Sequence, residues 1–461
     1  MLNFNIWRGG LLLFKKLSTS TAHGDPELLV GLDLGTTKVS VVVAERESRT
    51  GEAQIIGIGS APSNGMRKGL IVNLEQAIRS VRQAISDAEN MVGLELKEAT
   101  VAFSGSEVRS VRSKGMVSLG RSPRPVMQLD VERVIEAAQT EVSVPANQCV
   151  LHAIPVEYFL DGHGGIDDPS GMTGVRLEID LQSVIVPTAV LQNVLNCVER
   201  AGLEVSGLVI KPLASALGML SKEEAMAGTV AVDVGGGTTG VAVFLDGRPR
   251  HLSVIPVGGD HITNDIASVL KMPISKAEEI KKEVSLFEGG DGAEDVIEFD
   301  VRGRSYSCRV MDVVEVVRCR LEELYSVLIK RDIADVSPSN LSGGVVMCGG
   351  VAKTADIDVL VSELLDMPAR VSLPLDHDRM PPGRNGVEFV SAAGIIRYML
   401  EKERNPFRYM EPSMDLVRRQ GGYSRVVTEE QRPKGPVERV SRGHGFGEIL
   451  ERIKRSIEEL F

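Results

Sequence analysis

Two short segments carry the same potential chemistry. Asp33-Leu-Gly35-Thr36-Thr37-Lys38 follows one apolar run, and Asp233-Val-Gly235-Gly236-Gly237-Thr238-Thr239 follows another. Glycines let backbone N–H groups approach a phosphate closely, because no Cβ stands in the way. The hydroxyls of Thr36, Thr37, Thr238 and Thr239 add further donors. Lys38 either adds positive charge to that cradle or, from its place on the following strand, points to solvent. Asp33 and Asp233 stand at strand ends, as hard oxygen donors of the kind that hold Mg²⁺ largely through water. A third loop, Gly349-Gly350, follows the buried-looking run "VVMC" and suits the close approach of a nucleoside. One glycine loop alone reads equally well as a tight hairpin. Three in this order, each after an apolar strand, read as a site for a phosphorylated nucleoside.

These loops must be held by matching elements. Each aspartate loop lies between two apolar strands, and each pair runs on into a third strand ("AQIIGIG" and "RHLSVIPVGG"). The two copies begin about 200 residues apart, an internal repeat that predicts two like α/β domains facing each other across one polyphosphate. In the first copy, Asn73 caps a helix whose apolar face is Leu74, Ala77, Ile78, Val81, Ile85 and Ala88, and Gly93 stops it. "EATVAFSG" reads as a strand. A turn-rich stretch with one helix, Asp130 to Thr140, then reads as an inserted subdomain that ends where "LEIDLQSVIVP" and a helix from Thr188 to Arg200 resume the first domain.

The second copy opens near Val205 with a strand running into a helix, "GLVIKPLASALGML". Helices over 262–270 and 275–284, a loop holding Gly289, Gly290 and Gly292, and a hairpin turning at Arg302-Gly303 form a smaller subdomain. A long helix is expected from Met311 to about Lys330, then the strand before Gly349 and a helix over 354–365. The predicted organisation is an extension over 1–26, a first domain over 27–98, 178–205 and 380–400, and an insert over 99–177. The second domain takes 206–245 and 310–379, and its small subdomain 246–309. Residues 401–445 read as a flexible linker. It holds Pro406, Pro412, Pro433 and Pro436, and over 402–444 it carries ten lysines and arginines against six acids, which makes it mildly basic.

Bulk composition narrows the function. The chain has 461 residues with a net charge of -11 and 4% aromatics, so neither a basic footprint nor a base-stacking surface for nucleic acid is expected. Its five cysteines are scattered with no C-x-x-C pair, which excludes a disulfide frame or a cysteine zinc site. No apolar run approaches the ~18 residues of a spanning helix. The first 24 residues carry Arg8, Lys15 and Lys16 and no acid, and read as a targeting segment, a weak surface anchor or a plain extension.

The pattern of two phosphate loops, a connecting strand–helix and a Gly-Gly loop resembles the actin-like ATPase superfamily. Within it, "GLDLGTTKV", "GIGSAPSNGMRKGLIVNLEQAI", "VDVGGGTTGVAVF", "HLSVIPVGGDHITNDIA" and "MCGGVAK" resemble the FtsA family of bacterial cell-division proteins. The resemblance implies two ribonuclease-H-like domains, bound ATP with Mg²⁺, and an insert peculiar to that family. Glu278 and Lys281 in "KAEEIKKE" match positions that border the adenine, although an exposed charged helix face explains them as well. Residues 246–309 would receive the C-terminal tail of FtsZ. The family further implies self-association into filaments, a place on the cytoplasmic face of the membrane at the division site, and recruitment of later divisome proteins.

In related filament proteins an acid precedes a proline in the strand–helix connection and positions the attacking water. Here Lys211 precedes Pro212, so slow or absent turnover is expected. At the other end of the chain, Phe446, Ile449, Leu450, Ile453, Ile457, Leu460 and Phe461 share one helical face. This resembles the family's membrane-targeting helix, lying in the interface plane; docking on the body or a partner is the alternative. Three bases against four acids there leave the attraction to anionic lipid to the basic linker. Two other function classes share the phosphate loops: sugar or acetate kinases, which need a catalytic acid in a substrate domain, and pilus-assembly adaptors of the PilM type, which are not expected to end in such a linker and helix.

Overall fold

The computed structural model describes residues 27–47, 51–287, 296–301, 303–412, 414 and 417–418. These lie within one compact unit. Its frame is a pair of five-stranded sheets with the same topology. In the first, Leu28–Leu34, Lys38–Arg46 and Ala53–Pro62 form an antiparallel meander. Glu98–Phe103 and then Glu204–Ile210 add in parallel beside the 28–34 strand. In the second, Thr229–Val234, Thr239–Leu245 and Arg248–Ile255 form the meander. Gly344–Cys348 and Ala369–Val371 add in parallel. Strands such as 229–234 are buried along their whole length, which explains why they read as unbroken apolar runs rather than alternating ones.

The duplication extends to register. Asp33 pairs with Ser40 and Leu34 with Val39; Asp233 pairs with Gly240 and Val234 with Thr239. Both aspartates are therefore the last residue but one of their strand, immediately before a tight turn. The helix Leu74–Val92 lies on the first sheet with the expected ends: the Asn73 side chain accepts from the Gln76 amide, and Gly93 takes a left-handed φ of 72°.

Four segments depart from the expected division. Residues 98–103 and 204–210 belong to the first sheet rather than to the insert and the second domain. The strand Arg176–Pro187, expected to resume the first domain, runs inside the insert, paired with Gln148–Leu160 on one side and Arg109–Ser118 on the other. With His163–Ile166 they make a four-stranded sheet. Its helix, Gln128–Thr140, packs so closely that a Cβ on Gly115 would stand 2.3 Å from the Val134 carbonyl oxygen. The strand 248–255 belongs to the second sheet rather than to the small subdomain, because it pairs with 239–245. Strand pairing, with the preceding strand for 248–255 and with strands far along the chain for 98–103 and 204–210, decides which sheet a strand joins.

The small subdomain has helices Gly259–Val269 and Ile274–Lys281 and the hairpin Val296–Val301 with Arg304–Arg309. The glycine loop at 289–292 and Arg302 lie outside the described residues. The long helix expected over 311–330 is α-helical at Val310–Glu322 and widens to π-helix at Glu323–Ile329. Tyr325 in that wider stretch is fully buried and donates to Met347 Sδ at 3.2 Å.

Two helices meet at the centre of the unit, Lys211–Met219 and Val390–Arg404. A Cβ on Gly218 would lie 2.2 Å from Val390 O, and one on Gly394 would lie 1.8 Å from Ala214 O. The backbones touch there because neither glycine has a side chain.

The globular part does not stop near 400. Tyr409 is fully buried, Phe407 and Met410 pack on the core of the insert, and Met410 exchanges backbone hydrogen bonds with Ala153 at 2.9 and 3.2 Å. The linker expected from 401 thus begins with an ordered strap. The rest of that linker, apart from residues 411, 412, 414, 417 and 418, and the helix expected over 446–461 lie outside the described residues, as does the 1–26 extension.

Candidate functional site

The two aspartate turns are the same structure. Gly35 N donates to Lys38 O at 3.1 Å, and Gly235 N donates to Thr238 O at 2.9 Å. Each turn caps the end of its own sheet, and the two meet. A Cβ on Gly236 would stand 1.9 Å from Thr37 Oγ1, and one on Gly237 would stand 2.7 Å from Thr36 Oγ1. Ser104 Oγ lies 3.3 Å from Thr238 Oγ1, a further bridge between the halves. Gly349 closes the floor. Its φ is 91°, and a Cβ there would stand 2.5 Å from both Asp233 Oδ1 and the Val234 carbonyl oxygen, so only glycine fits.

The result is one cavity of about 700 Å³. Asp33, Gly35, Thr36, Thr37, Lys38, Asp233, Gly235, Gly236, Thr238, Gly349 and Gly350 all line it, as do Glu278 and Lys281 from the small subdomain. Two expected residues do not. Thr239 is buried and its hydroxyl donates to Val257 O at 2.8 Å, tying the turn to the next strand. Gly237 packs against Thr36 and the Lys68 amide.

Charge in the cavity is arranged around Lys211, the first residue of the 211–219 helix. Its Nζ lies 3.0 Å from Asp33 Oδ1 as an ion pair and donates to Asp33 Oδ2 at 3.1 Å. Burial by itself pushes this ammonium down, but Asp33 and Asp233 outweigh it, and the group is held above the ordinary lysine value. Asp233 Oδ2 accepts a hydrogen bond from Ser215 Oγ at 2.6 Å, one turn further along the same helix. Each of the two carboxylates that the spacing assigned to hydrated Mg²⁺ thus accepts a hydrogen bond at one oxygen from this helix, while Asp33 Oδ1 is buried beside the Lys211 ammonium without a hydrogen bond of its own. Among the described residues no group of three or more His, Cys, Asp or Glu side chains could hold a metal ion.

Lys38 points into the cavity rather than to solvent. Its Nζ donates to Glu388 O at 3.2 Å and sits 3.4 Å from the centroid of the Phe389 ring. Burial lowers its pKa to about 8, against the pull of Glu388 and Asp33. Lys281 is only 14% exposed, which rules out a free surface face for it. It donates to Thr263 Oγ1 at 2.8 Å and to Glu278 Oε2 at 2.5 Å. Burial works against the Glu278 carboxylate, but hydrogen bonds from Lys281 and Thr263 hold its pKa below the usual range. Burial and the neighbouring Asp233 push the Cys348 thiol well up, so it is an unreactive part of the floor.

Several lining residues carry no signal in the sequence. Ser60, Arg384, Glu388 and Phe389 border the cavity, yet Arg384 reaches Ser60 from 324 positions away. Arg384 also pairs with Asp87 at 3.1 Å. Lys282 adjoins the expected Lys281 in sequence, whereas Asp260 reaches the site only through the fold, where its carboxylate comes close to Gly236.

The chain matches known families over the same elements. The family model described as "Cell division protein FtsA" matches residues 230–394, and that described as "SHS2 domain inserted in FTSA" matches residues 105–185. The latter range takes in most of the 176–187 strand found in the insert. The cell division protein FtsA of Pseudomonas aeruginosa is 34% identical over 441 residues, covering 94% of this chain and 98% of that protein. That of Bacillus subtilis is 33% identical, covering 82% and 84%. Among solved structures, a PilM-PilN type IV pilus biogenesis complex aligns with a TM-score of 0.57 at 17% identity, over 81% of this chain and 98% of that one. MreB 5 of Spiroplasma citri bound to AMPPNP aligns with a TM-score of 0.50 at 16% identity, over 83% and 99%. The duplicated sheets and these alignments define an actin-like fold, and with that identity over nearly its whole length the chain belongs to the FtsA family of cell-division proteins.

Proposed function

We propose that the chain binds ATP in the cavity between its two halves and acts as a membrane-tethered adaptor. It links FtsZ filaments to the cytoplasmic face of the membrane, builds the septal ring and recruits later division proteins. The observation that carries ATP binding is the convergence of two identical Asp–Gly turns and Gly349 on one cavity, at positions where any Cβ on Gly236 or Gly349 would collide. Such a bare backbone cradle fits a polyphosphate. Lys38 and Lys211 supply charge to it, and Glu278 with Lys281 border the base.

No carboxylate stands at position 211 to orient a water, so ATP serves as a bound structural ligand rather than a rapidly consumed substrate. The region 246–309, which holds the small subdomain, is the proposed seat of the FtsZ tail, and self-association into filaments follows the family. The membrane step rests on the amphipathic pattern from Phe446 to Phe461. No helix among the described residues is long and apolar enough to cross a membrane.

Co-sedimentation with liposomes and FtsZ tests the adaptor. FtsZ is expected to pellet with vesicles only in the presence of the full chain, and to stay in solution with a chain ending at Arg442. FtsZ that remains in the supernatant while this chain binds lipid would remove the tethering role.

A further inference from the structure

A buried polyphosphate site needs cations, and actin-like folds offer two carboxylates to a hydrated divalent ion. Here the Asp33 carboxylate faces a resident cation, which donates to Oδ2 and pairs by charge with the otherwise unbonded Oδ1. Lys211 Nζ contacts both of its oxygens, at 3.0 and 3.1 Å, and is anchored at the start of a helix that the 390–404 helix pins from behind. The Lys211 side chain is 16% exposed. Its Nζ lies 3.6 Å from where a Cβ on Gly35 would stand, directly beneath the first phosphate turn. On the other side, one oxygen of Asp233 accepts from Ser215 and the other faces Gly349 across a gap that admits no side chain. A divalent ion on Asp33 would have to share the space with a fixed ammonium, and like charges a few ångströms apart in a partly dry cleft repel strongly.

We infer that the Lys211 ammonium takes the place of the divalent metal at Asp33, so that this chain binds a nucleoside triphosphate without Mg²⁺. The inference rests on the ATP assignment made above and adds the source of the neutralising charge. Lys211 is a positioning and charge-supplying residue: it holds Asp33 and presents its remaining N–H to the phosphates, together with Lys38 from the neighbouring strand. One prediction separates this arrangement from a purely structural ion pair. Removing Lys211 should create a metal requirement rather than only weaken binding.

The test is ATP affinity of the full chain by titration calorimetry, in Mg²⁺ and in excess EDTA. The wild-type affinity is expected to agree within about threefold between the two buffers, and Lys211→Met to bind at least about tenfold more weakly in EDTA than in Mg²⁺. Wild-type binding seen only with Mg²⁺ overturns the inference and leaves the ATP assignment standing. Binding in neither buffer overturns both. A Lys211→Met chain as indifferent to metal as the wild type shows that the ammonium is not the substitute cation. If that variant does not fold, by circular dichroism, the wild-type comparison alone decides, and Asp33→Asn with Lys211→Met supplies a charge-balanced control.

Discussion

Lys211 Nζ lies 3.0 Å from the carboxylate of Asp33, although 178 residues separate them in sequence. The contact joins the Asp33–Lys38 turn of the first sheet to the helix that packs against both sheets. It also places a buried cation at the start of that helix, next to the turn of the first sheet.

Turnover should follow from that placement. With no base at position 211, phosphate release by the purified chain is expected to be well below about one per second, and Lys211→Glu is not expected to raise it, because a second carboxylate beside Asp33 disfavours both charges. A steady-state phosphate assay checks this. Release of several per second that disappears in Asp233→Ala would show a working hydrolase.

The pKa of Lys38 makes ligand binding sensitive to alkaline pH. Burial holds it at about 8 in the folded chain, below its ordinary 10.5. The folded state therefore loses this proton before the unfolded chain does, and the stability contributed by Lys38 rises between about pH 8 and 10.5. The phosphate cradle loses a positive charge over the same rise. ATP affinity is expected to fall between pH 7 and 9 in the wild type and to vary much less in Lys38→Met. Thermal melts and ATP titrations in the same buffers separate the two effects.

Two glycines are expected to fail differently. Gly349→Ala forces a Cβ to within 2.5 Å of Asp233 Oδ1 at a φ of 91°, so it should cost about 1–3 kcal/mol of stability and abolish ATP binding. Gly394→Leu pushes the two central helices apart from a contact where a Cβ would lie 1.8 Å from Ala214 O. Overpacking of this kind costs about 1–3 kcal/mol or more, and it should lower the melting temperature of the whole chain while leaving the isolated turns intact. Denaturant unfolding of each variant gives the comparison.

The strap after residue 404 should be structural. Tyr409 is fully buried and its hydroxyl donates to Glu401 Oε2 at 3.1 Å. Glu411 accepts from the Leu208 amide at 3.0 Å, while Met410 pairs with Ala153 in the insert. Tyr409→Ala is expected to cost about 3–5 kcal/mol, as for large aromatic truncations in cores. Hydrogen exchange at the Ala153 amide should accelerate in that variant, since its acceptor is Met410 O. Unchanged protection would mean that the strap is held by the insert alone.

Much of this architecture is present in local sequence. The Asp–Gly–Thr turns, their 200-residue repeat and the Gly-Gly pair after "VVMC" could be read directly. They depend on backbone conformation and side-chain absence, which a few adjacent residues determine. The same holds for the 74–92 helix, whose cap, apolar spacing and terminal glycine are all local.

What only the tertiary structure decided are the choices between distant partners. Strand 176–187 has an ordinary strand pattern, and nothing within it says that it pairs with 148–160 and 109–118 instead of joining the first sheet. Thr239 looks like a phosphate donor by position, but the strand pleat turns it toward Val257. Lys211 could be recognised as a missing acid, yet its ion pair with Asp33 depends on how the helix that begins at 211 enters between the sheets. Tyr409 and Met410 lie among prolines that suggested a linker, and their burial depends on a groove made by the insert and the first domain. The sequence by itself determined which residues can form turns, strands and helix ends, because those preferences act over a few neighbouring dihedrals. Packing decided which of them face one another, because burial and charge pairing reward contacts across hundreds of residues that leave no periodic trace.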